Sequence, residues 1–90
     1  MDGKQIFKQK SGLDVQEVEN DLLILDQASG QIHQLNASAA MVWKLCDGRQ
    51  HVENIVENFI ARFNIDMLTA WEDIDAILAQ LVSLKLVEPQ

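Results

Sequence analysis

The spacing of apolar residues changes once along this chain, near Leu35. Before it they alternate or cluster in short strand-like groups; after it they recur at three and four, as on one face of a helix. Val15 and Val18 stand among Gln16, Glu17 and Glu19, an imperfect alternation that suits an exposed edge strand. Asn20-Asp21 offers a turn, and Leu22-Leu23-Ile24-Leu25 is an apolar run short enough for a central strand. Asp26-Gln27-Ala28-Ser29-Gly30 has the Asp and Gly of a hairpin loop, with Gly30 able to take positive φ. Gln31-Ile32-His33-Gln34-Leu35 then returns as a third strand.

Beyond Leu35, Asn36 is a helix N-cap, and Ala39, Val42, Trp43 and Cys46 follow the spacing of a buried helical face. Asp47-Gly48 reads as the stop of that helix. Val52, Ile55, Val56, Phe59, Ile60 and Phe63 form the stripe of a second helix that exits at Asn64. Asp66 caps a third, with a predicted buried stripe of Trp71, Ile74, Ile77, Leu78, Leu81 and Val82. That helix should fray near Lys85, and Pro89 bars its resumption. Each helix has one apolar stripe and needs the sheet to cover it. The expected fold class is therefore α+β: a three-stranded antiparallel meander followed by three helices, winged-helix-like. Residues 1–12 carry Lys4, Lys8 and Lys10, with only Ile6 and Phe7 worth docking. They read as a flexible arm, and residues 13–88 as a single domain.

Composition narrows the function classes. Ninety residues make one small domain with room for a single core layer and none for a deep catalytic cavity. Seven basic residues against fourteen acidic ones give a net charge of -7. With three lysines in the arm, residues 14–90 hold thirteen acids against four bases. A polyanion such as DNA, or an acidic membrane surface, meets net repulsion from such a chain. The lone Cys46 has no partner for an intramolecular disulfide, and no apolar run has signal-peptide or membrane-span length. A cytoplasmic protein is the expectation, bound to neither nucleic acid nor membrane.

Candidate chemistry is sparse. His33, His51 and Cys46 form no CxxC, HxxxH or HExxH spacing, so neither a metal site nor a cofactor is expected. Cys46, on the Val42–Trp43 side of its helix, reads as a packed thiol. Glu72, Asp73 and Asp75 crowd the third helix, but Asp73 and Asp75 point about 200° apart and cannot share a ligand. The four glycines, at 3, 12, 30 and 48, are too dispersed for a phosphate loop. Trp43 and Trp71 fall on helical stripes and read as core rather than base-stacking platforms. Nothing in this set points to an enzyme.

The feature that stands out is an edge. With Leu22–Leu25 central, Gln31–Leu35 lies at the sheet margin without the lysine or proline that usually blunts such a strand. Either an adjoining helix or the arm covers it, or a partner peptide adds to it as a further strand.

The segment Leu35-Asn36-Ala37-Ser38-Ala39-Ala40, followed by Trp43-Lys44-Leu45-Cys46-Asp47-Gly48, resembles the PqqD family. These are small peptide chaperones of pyrroloquinoline quinone biosynthesis, part of the wider group of RiPP precursor-peptide recognition elements. Further matches are the hairpin from Leu25-Asp26 to Gly30, the Val52-x-x-Ile55 helix opening, and Asn64-Ile65-Asp66 leading to Asp73. The resemblance spans about residues 13–87. It implies a protein that binds the leader segment of a ribosomally made precursor peptide and presents it to a modifying enzyme, often of the radical SAM type. The leader would pair with the third strand and lie against the third helix. Carried over, Gln31, Ile32, His33, Gln34 and Leu35 would supply the ladder, and Asp73, Ile77, Leu81 and Leu84 would line the groove. His51 stands where Thr or Ser commonly opens the second helix. The hairpin and Trp43 are closer to broad PqqD-like members than to strict quinone-pathway ones, so a lasso-peptide or other leader fits equally well.

Two other readings come from different classes. A winged-helix DNA-binding regulator would use the third helix for recognition, but that helix offers Glu72, Asp73 and Asp75 and no cation before Lys85. A homodimer would pair two Gln31–Leu35 edges or swap the arm.

Overall fold

The computed structural model describes residues 2–90. The order is β1 (Ile6–Gln9), β2 (Leu13–Val18), β3 (Asp21–Asp26), β4 (Gln31–Leu35), α1 (Ala37–Leu45), β5 (Asp47–His51), α2 (Val52–Phe63), α3 (Met67–Ser83) and β6 (Val87–Pro89). The strands make two antiparallel sheets, β2-β3-β4 and β5-β1-β6. The α+β class, the meander and the three helices are as the periodicity predicts. The second sheet is not among the predicted elements.

In the meander, β3 pairs along its whole length with β2 on one side and β4 on the other. Leu22, Ile24 and Asp26 of β3 are buried, while Asp21, Leu23 and Leu25 are half-buried on the opposite face. This is the period-two pattern of a sheet with one face on the core. The hairpin to β4 closes as its residues suggest. Asp26 Oδ1 accepts the Ala28 N–H at 3.1 Å, the Asp26 carbonyl accepts from Gly30 at 2.8 Å, and Gly30 sits at φ +73.

Residues expected as a flexible arm supply the central strand of the other sheet, which corrects that reading. Phe7 is 2% exposed within the core, a burial that stabilises by about 1.5–3 kcal/mol. The same segment caps two helices. The Gln5 and Gly3 carbonyls accept from the Val52 and Glu53 N–H groups at 2.9 and 3.0 Å. His51, at the N-cap of α2, makes no side-chain cap bond, because the arm has taken over that task. Gln9 Nε2 reaches the Trp43 carbonyl at 2.9 Å, and its N–H donates to the Cys46 carbonyl at 2.9 Å, closing the end of α1.

The helix stops differ in detail. α1 ends at Leu45, and Gly48 (φ +81) lies in β5, where a β-carbon would come within 3.3 Å of the Lys8 stem. Pro89 ends a strand rather than a frayed helix, because Val87–Pro89 pairs with Phe7–Gln9. Asn36 and Asp66 cap α1 and α3 as expected, accepting from Ala39 and Thr69 at 3.0 and 2.7 Å. The Thr69 backbone N–H holds the Asp66 carboxyl below the usual carboxylate range. Asn64 leaves α2 in the left-handed region at φ 52.

The helices cover the meander with a core that includes Ile24, Val42, Ile55, Ile74, Leu78 and Leu81, each essentially inaccessible. Trp43 is buried and donates its indole N–H to the Leu86 carbonyl at 3.2 Å. Trp71 is only half-buried, beside Gly3, and Val82 is exposed, so neither belongs to the buried stripe predicted for α3. Ala70 takes a place in that stripe instead.

Candidate peptide-binding groove

β4 has one hydrogen-bonded neighbour, β3, and its other edge is unpaired among the described residues. Every second residue of an edge strand turns its N–H and C=O outward, so this margin can accept a further strand. Gln31, His33 and Leu35 stand opposite Asp26, Ile24 and Leu22 and share their inner face. Ile32 and Gln34 stand on the outer face, and Ile32 is 69% exposed. Of the predicted ladder residues, Leu35 is a core residue at 2% exposure. His33 is half-buried, with Nε2 inaccessible and without a hydrogen-bond partner. An unsatisfied buried nitrogen costs about 1–3 kcal/mol.

Two clefts mark where β4 runs past α3. At the Gln31 end, about 420 Å³ is enclosed by Gln31 and the hairpin residues Asp26, Ala28 and Ser29, with Ser83, Leu84 and Lys85 at the end of α3 and Lys10 beside them. Beyond Leu35, about 400 Å³ is lined by Ser38 of α1, Phe59 and Phe63 of α2, Ile65, and Asp73, Ala76 and Ile77 of α3. Gln31 at the start of β4 thus lies by the end of α3, and Ser38, past the other end of β4, lies by its middle, with a polar cleft at one end and an aromatic one at the other. Phe59 and Phe63 reinforce the apolar end as a tilted pair with ring centroids 4.8 Å apart.

The predicted helix residues divide. Asp73 and Ile77 line the apolar cleft and Leu84 the polar one. Leu81 is 1% exposed, inside the core, and does not line the groove. It sits about 40° around the helix from Ile77, enough to turn it inward against the sheet. Lys10, Lys85, Phe59, Phe63 and Ile65 were not in the predicted set. The phenylalanines were visible as helix stripe, and their place at the mouth of a groove depends on how α2 meets α3. Lys10 and Lys85 stand near opposite ends of the chain and meet only through the pairing of β1 with β6.

Electrostatics separates the two ends. Lys10 Nζ lies 3.0 Å from Asp26 Oδ2, and this side-chain bond holds the Asp26 carboxyl below the usual range. The aromatic end carries Asp73. Cys46 is buried, and desolvation, aided by the Asp47 charge, pushes its thiol up to about 12, so it stays protonated and unreactive. Among the described residues no three His, Cys, Asp or Glu side chains are grouped to hold a metal ion. None of the described helices is long and apolar enough to cross a membrane.

The sequence from residue 21 to residue 87 matches the family described as Coenzyme PQQ synthesis protein D (PqqD). The chain belongs to the PqqD family. In fold it is similar to TbiB1 in complex with the TbiA(beta) leader peptide, at TM-score 0.80 and 22% identity, covering 90% of this chain and 94% of that one. It is likewise similar to a lasso peptide synthetase B1 complexed with the leader peptide, at TM-score 0.79 and 20% identity, covering 92% and 98%. No curated protein matches the chain. As a PqqD-family member, it has a fold shared with two proteins solved in the company of a leader peptide.

Proposed function

We propose that this protein is a non-catalytic adaptor that binds the leader of a ribosomally made precursor peptide and presents it to a separate modifying enzyme. The leader pairs with β4 as a fourth strand of the meander and turns alternate side chains toward α3. The observation that carries this reading is the unpaired β4 edge lying along a groove whose far wall is α3. Backbone pairing gives affinity that tolerates varied sequence, and the flanking clefts choose side chains and fix register. Tethering raises the effective concentration of the core peptide at the enzyme without any chemistry in the adaptor. Ribosomal synthesis of the ligand puts this encounter in the cytoplasm.

Of the nine residues expected from the resemblance, Gln31 to Gln34 supply the open edge, Leu35 anchors it to the core, and Asp73, Ile77 and Leu84 form the wall. Leu81 supports that wall from behind. A DNA-binding role fits poorly, because the accessible side of α3 carries Glu72 and Asp73 and a phosphate backbone would meet like charge.

The test is a library of random peptides of about a dozen residues, displayed and selected on the folded protein, with the enriched peptides synthesised and titrated against isotope-labelled chain. Amide shifts should concentrate at Ile32–Leu35 and along Asp73–Leu84. Shifts centred on α2 and β1, or no enriched peptide, would overturn strand addition at β4.

A further inference from the structure

The cleft at the Gln31 end differs in charge from the rest of the molecule. Its formal charges, Lys10 and Lys85 against Asp26, sum to +1. The cleft at Asp73 and the one over Asp14 on the outer sheet face each carry -1. So does the cleft near β2, where Glu17, Glu19 and Asp21 face Lys44 and Arg62. In a chain of net charge -7, one end of the groove is locally positive.

Its two cations are not equivalent. Lys10 is committed to Asp26. Lys85 is exposed and has no ion-pair partner among the described residues. Its backbone is also unusual. The Leu86 N–H donates to the Leu81 carbonyl at 2.9 Å and the Lys85 N–H to the Val82 carbonyl at 3.0 Å, the paired bonds of a Schellman ending. In that motif the left-handed residue is usually glycine, yet here it is lysine at φ +60. A side chain kept against backbone preference, at the mouth of a cleft, calls for a role in that cleft.

We propose that Lys85 selects a side-chain carboxylate, Asp or Glu, in the bound peptide at or next to the residue opposite Gln31. The inference rests on the leader-binding reading and adds polarity to it. The acidic residue lies at the Lys85 end and apolar residues at the Ile77, Phe59 and Phe63 end. The surrounding acidic field repels a carboxylate everywhere else along the strand, so this one contact fixes both register and direction.

The experiment selects the same displayed library, fused at its C-terminus so that its only carboxylates are side chains, on the wild-type chain and on Lys85→Gly. Glycine removes the charge and relieves the left-handed strain, so weaker binding would not reflect a failure to fold; Lys85→Gln checks the charge alone. Peptides enriched on the wild type should carry Asp or Glu at one fixed register position. They should bind both variants about three- to tenfold more weakly. Changing the peptide's acid to its amide should cost the same on the wild type and nothing on Lys85→Gly. Raising salt from about 50 to about 500 mM should weaken the wild-type complex more than the variant complexes. Enriched peptides that shift β4 amides but lack a fixed carboxylate, or that lose as much on Lys85→Gly when acid becomes amide, would overturn the role of Lys85 and leave strand addition standing. Enriched peptides that leave β4 unshifted would overturn both.

Discussion

β2 and β4 are the two margins of one sheet and offer a ligand the same unpaired backbone, yet they differ in everything beside it. Of the six residues of β2, five are exposed, and Val15 and Val18 project at 43% and 45% exposure. Where a helix does approach β2, the Lys44 ammonium of α1 pairs with Glu17 across the gap, with acids around them. A strand laid on β2 would set its inner side chains among fixed charges. Along β4 the neighbour is the side of α3 that bears Asp73, Ile77 and Leu84, with Phe59 and Phe63 at one end. A free edge is therefore a necessary condition for strand addition, and the chemistry next to it decides which edge is used. Natural sheets guard unused edges with charge, and β2, with Asp14 and Glu17, is the guarded one.

The strongest test of that contrast places one carboxylate at each margin. Ile77→Glu puts a charge into the apolar cleft beside β4 and should weaken binding of a library-selected peptide by about tenfold or more. Val15→Glu, on β2, should change it by less than about twofold, since surface substitutions away from a site are nearly neutral. Isothermal titration on both variants, with far-UV circular dichroism as the check on folding, measures the ratio. Equal losses at both margins would mean that the peptide does not distinguish them.

Both margins were legible in the sequence to different depths. Leu22–Leu25 announces a central strand, so the strands flanking it read as edges from the sequence, and period 3.6 locates the three helices. The sheet β5-β1-β6 leaves almost no trace. Phe7 and Val87 are the fully buried side chains of their strands, and β5, Asp47-Gly48-Arg49-Gln50-His51, has none. Such strands are set by pairing between distant parts of the chain, where local alternation carries little information. The same limit applies within α3. Ile77, Leu81 and Leu84 lie close together in angle on the helix, and only the packing of α3 on the meander decides that Leu81 is core while its neighbours border a groove. Lys85 is harder still, because no residue type signals a lysine in a left-handed turn.

The two ion pairs near these margins sharpen the comparison at the level of stability. Lys10–Asp26, at the β4 end, has side chains 27% and 7% exposed, whereas those of Lys44–Glu17 are 52% and 64% exposed. An exposed pair contributes little, so Glu17→Gln should leave the thermal midpoint unchanged within error. Asp26→Asn leaves Lys10 beside a neutral amide and should lower the midpoint by several degrees. The pH dependence has a definite sign. The Lys10 side chain, first among the causes, lowers the Asp26 pKa in the folded state. Its stabilisation is therefore complete above the unfolded value and is lost as the pH falls through the folded one. As the pH falls below about 4, wild type should lose midpoint faster than Asp26→Asn, so the two melting curves converge in acid. Parallel curves would mean that the pair contributes nothing.

The smallest effect separates backbone strain from function at matched positions. Glu19, in the turn from β2 to β3, and Lys85, after α3, are both held left-handed, at φ 59 and φ 60. Glycine relieves each of about 1–2 kcal/mol of left-handed strain, offset in part by the greater freedom it gives the unfolded chain. Either substitution alone should therefore raise the midpoint by at most a few degrees. Their consequences for binding should part. Glu19→Gly, on the guarded margin, should leave the affinity for a selected peptide intact, whereas Lys85→Gly should stabilise the fold and weaken the complex. A gain in stability coupled to a loss of binding is what a strained residue retained for recognition produces. If Lys85→Gly raised the midpoint and bound the peptide as well as Glu19→Gly does, the lysine would have no claim on the groove, and the left-handed turn would be a feature of chain connectivity alone.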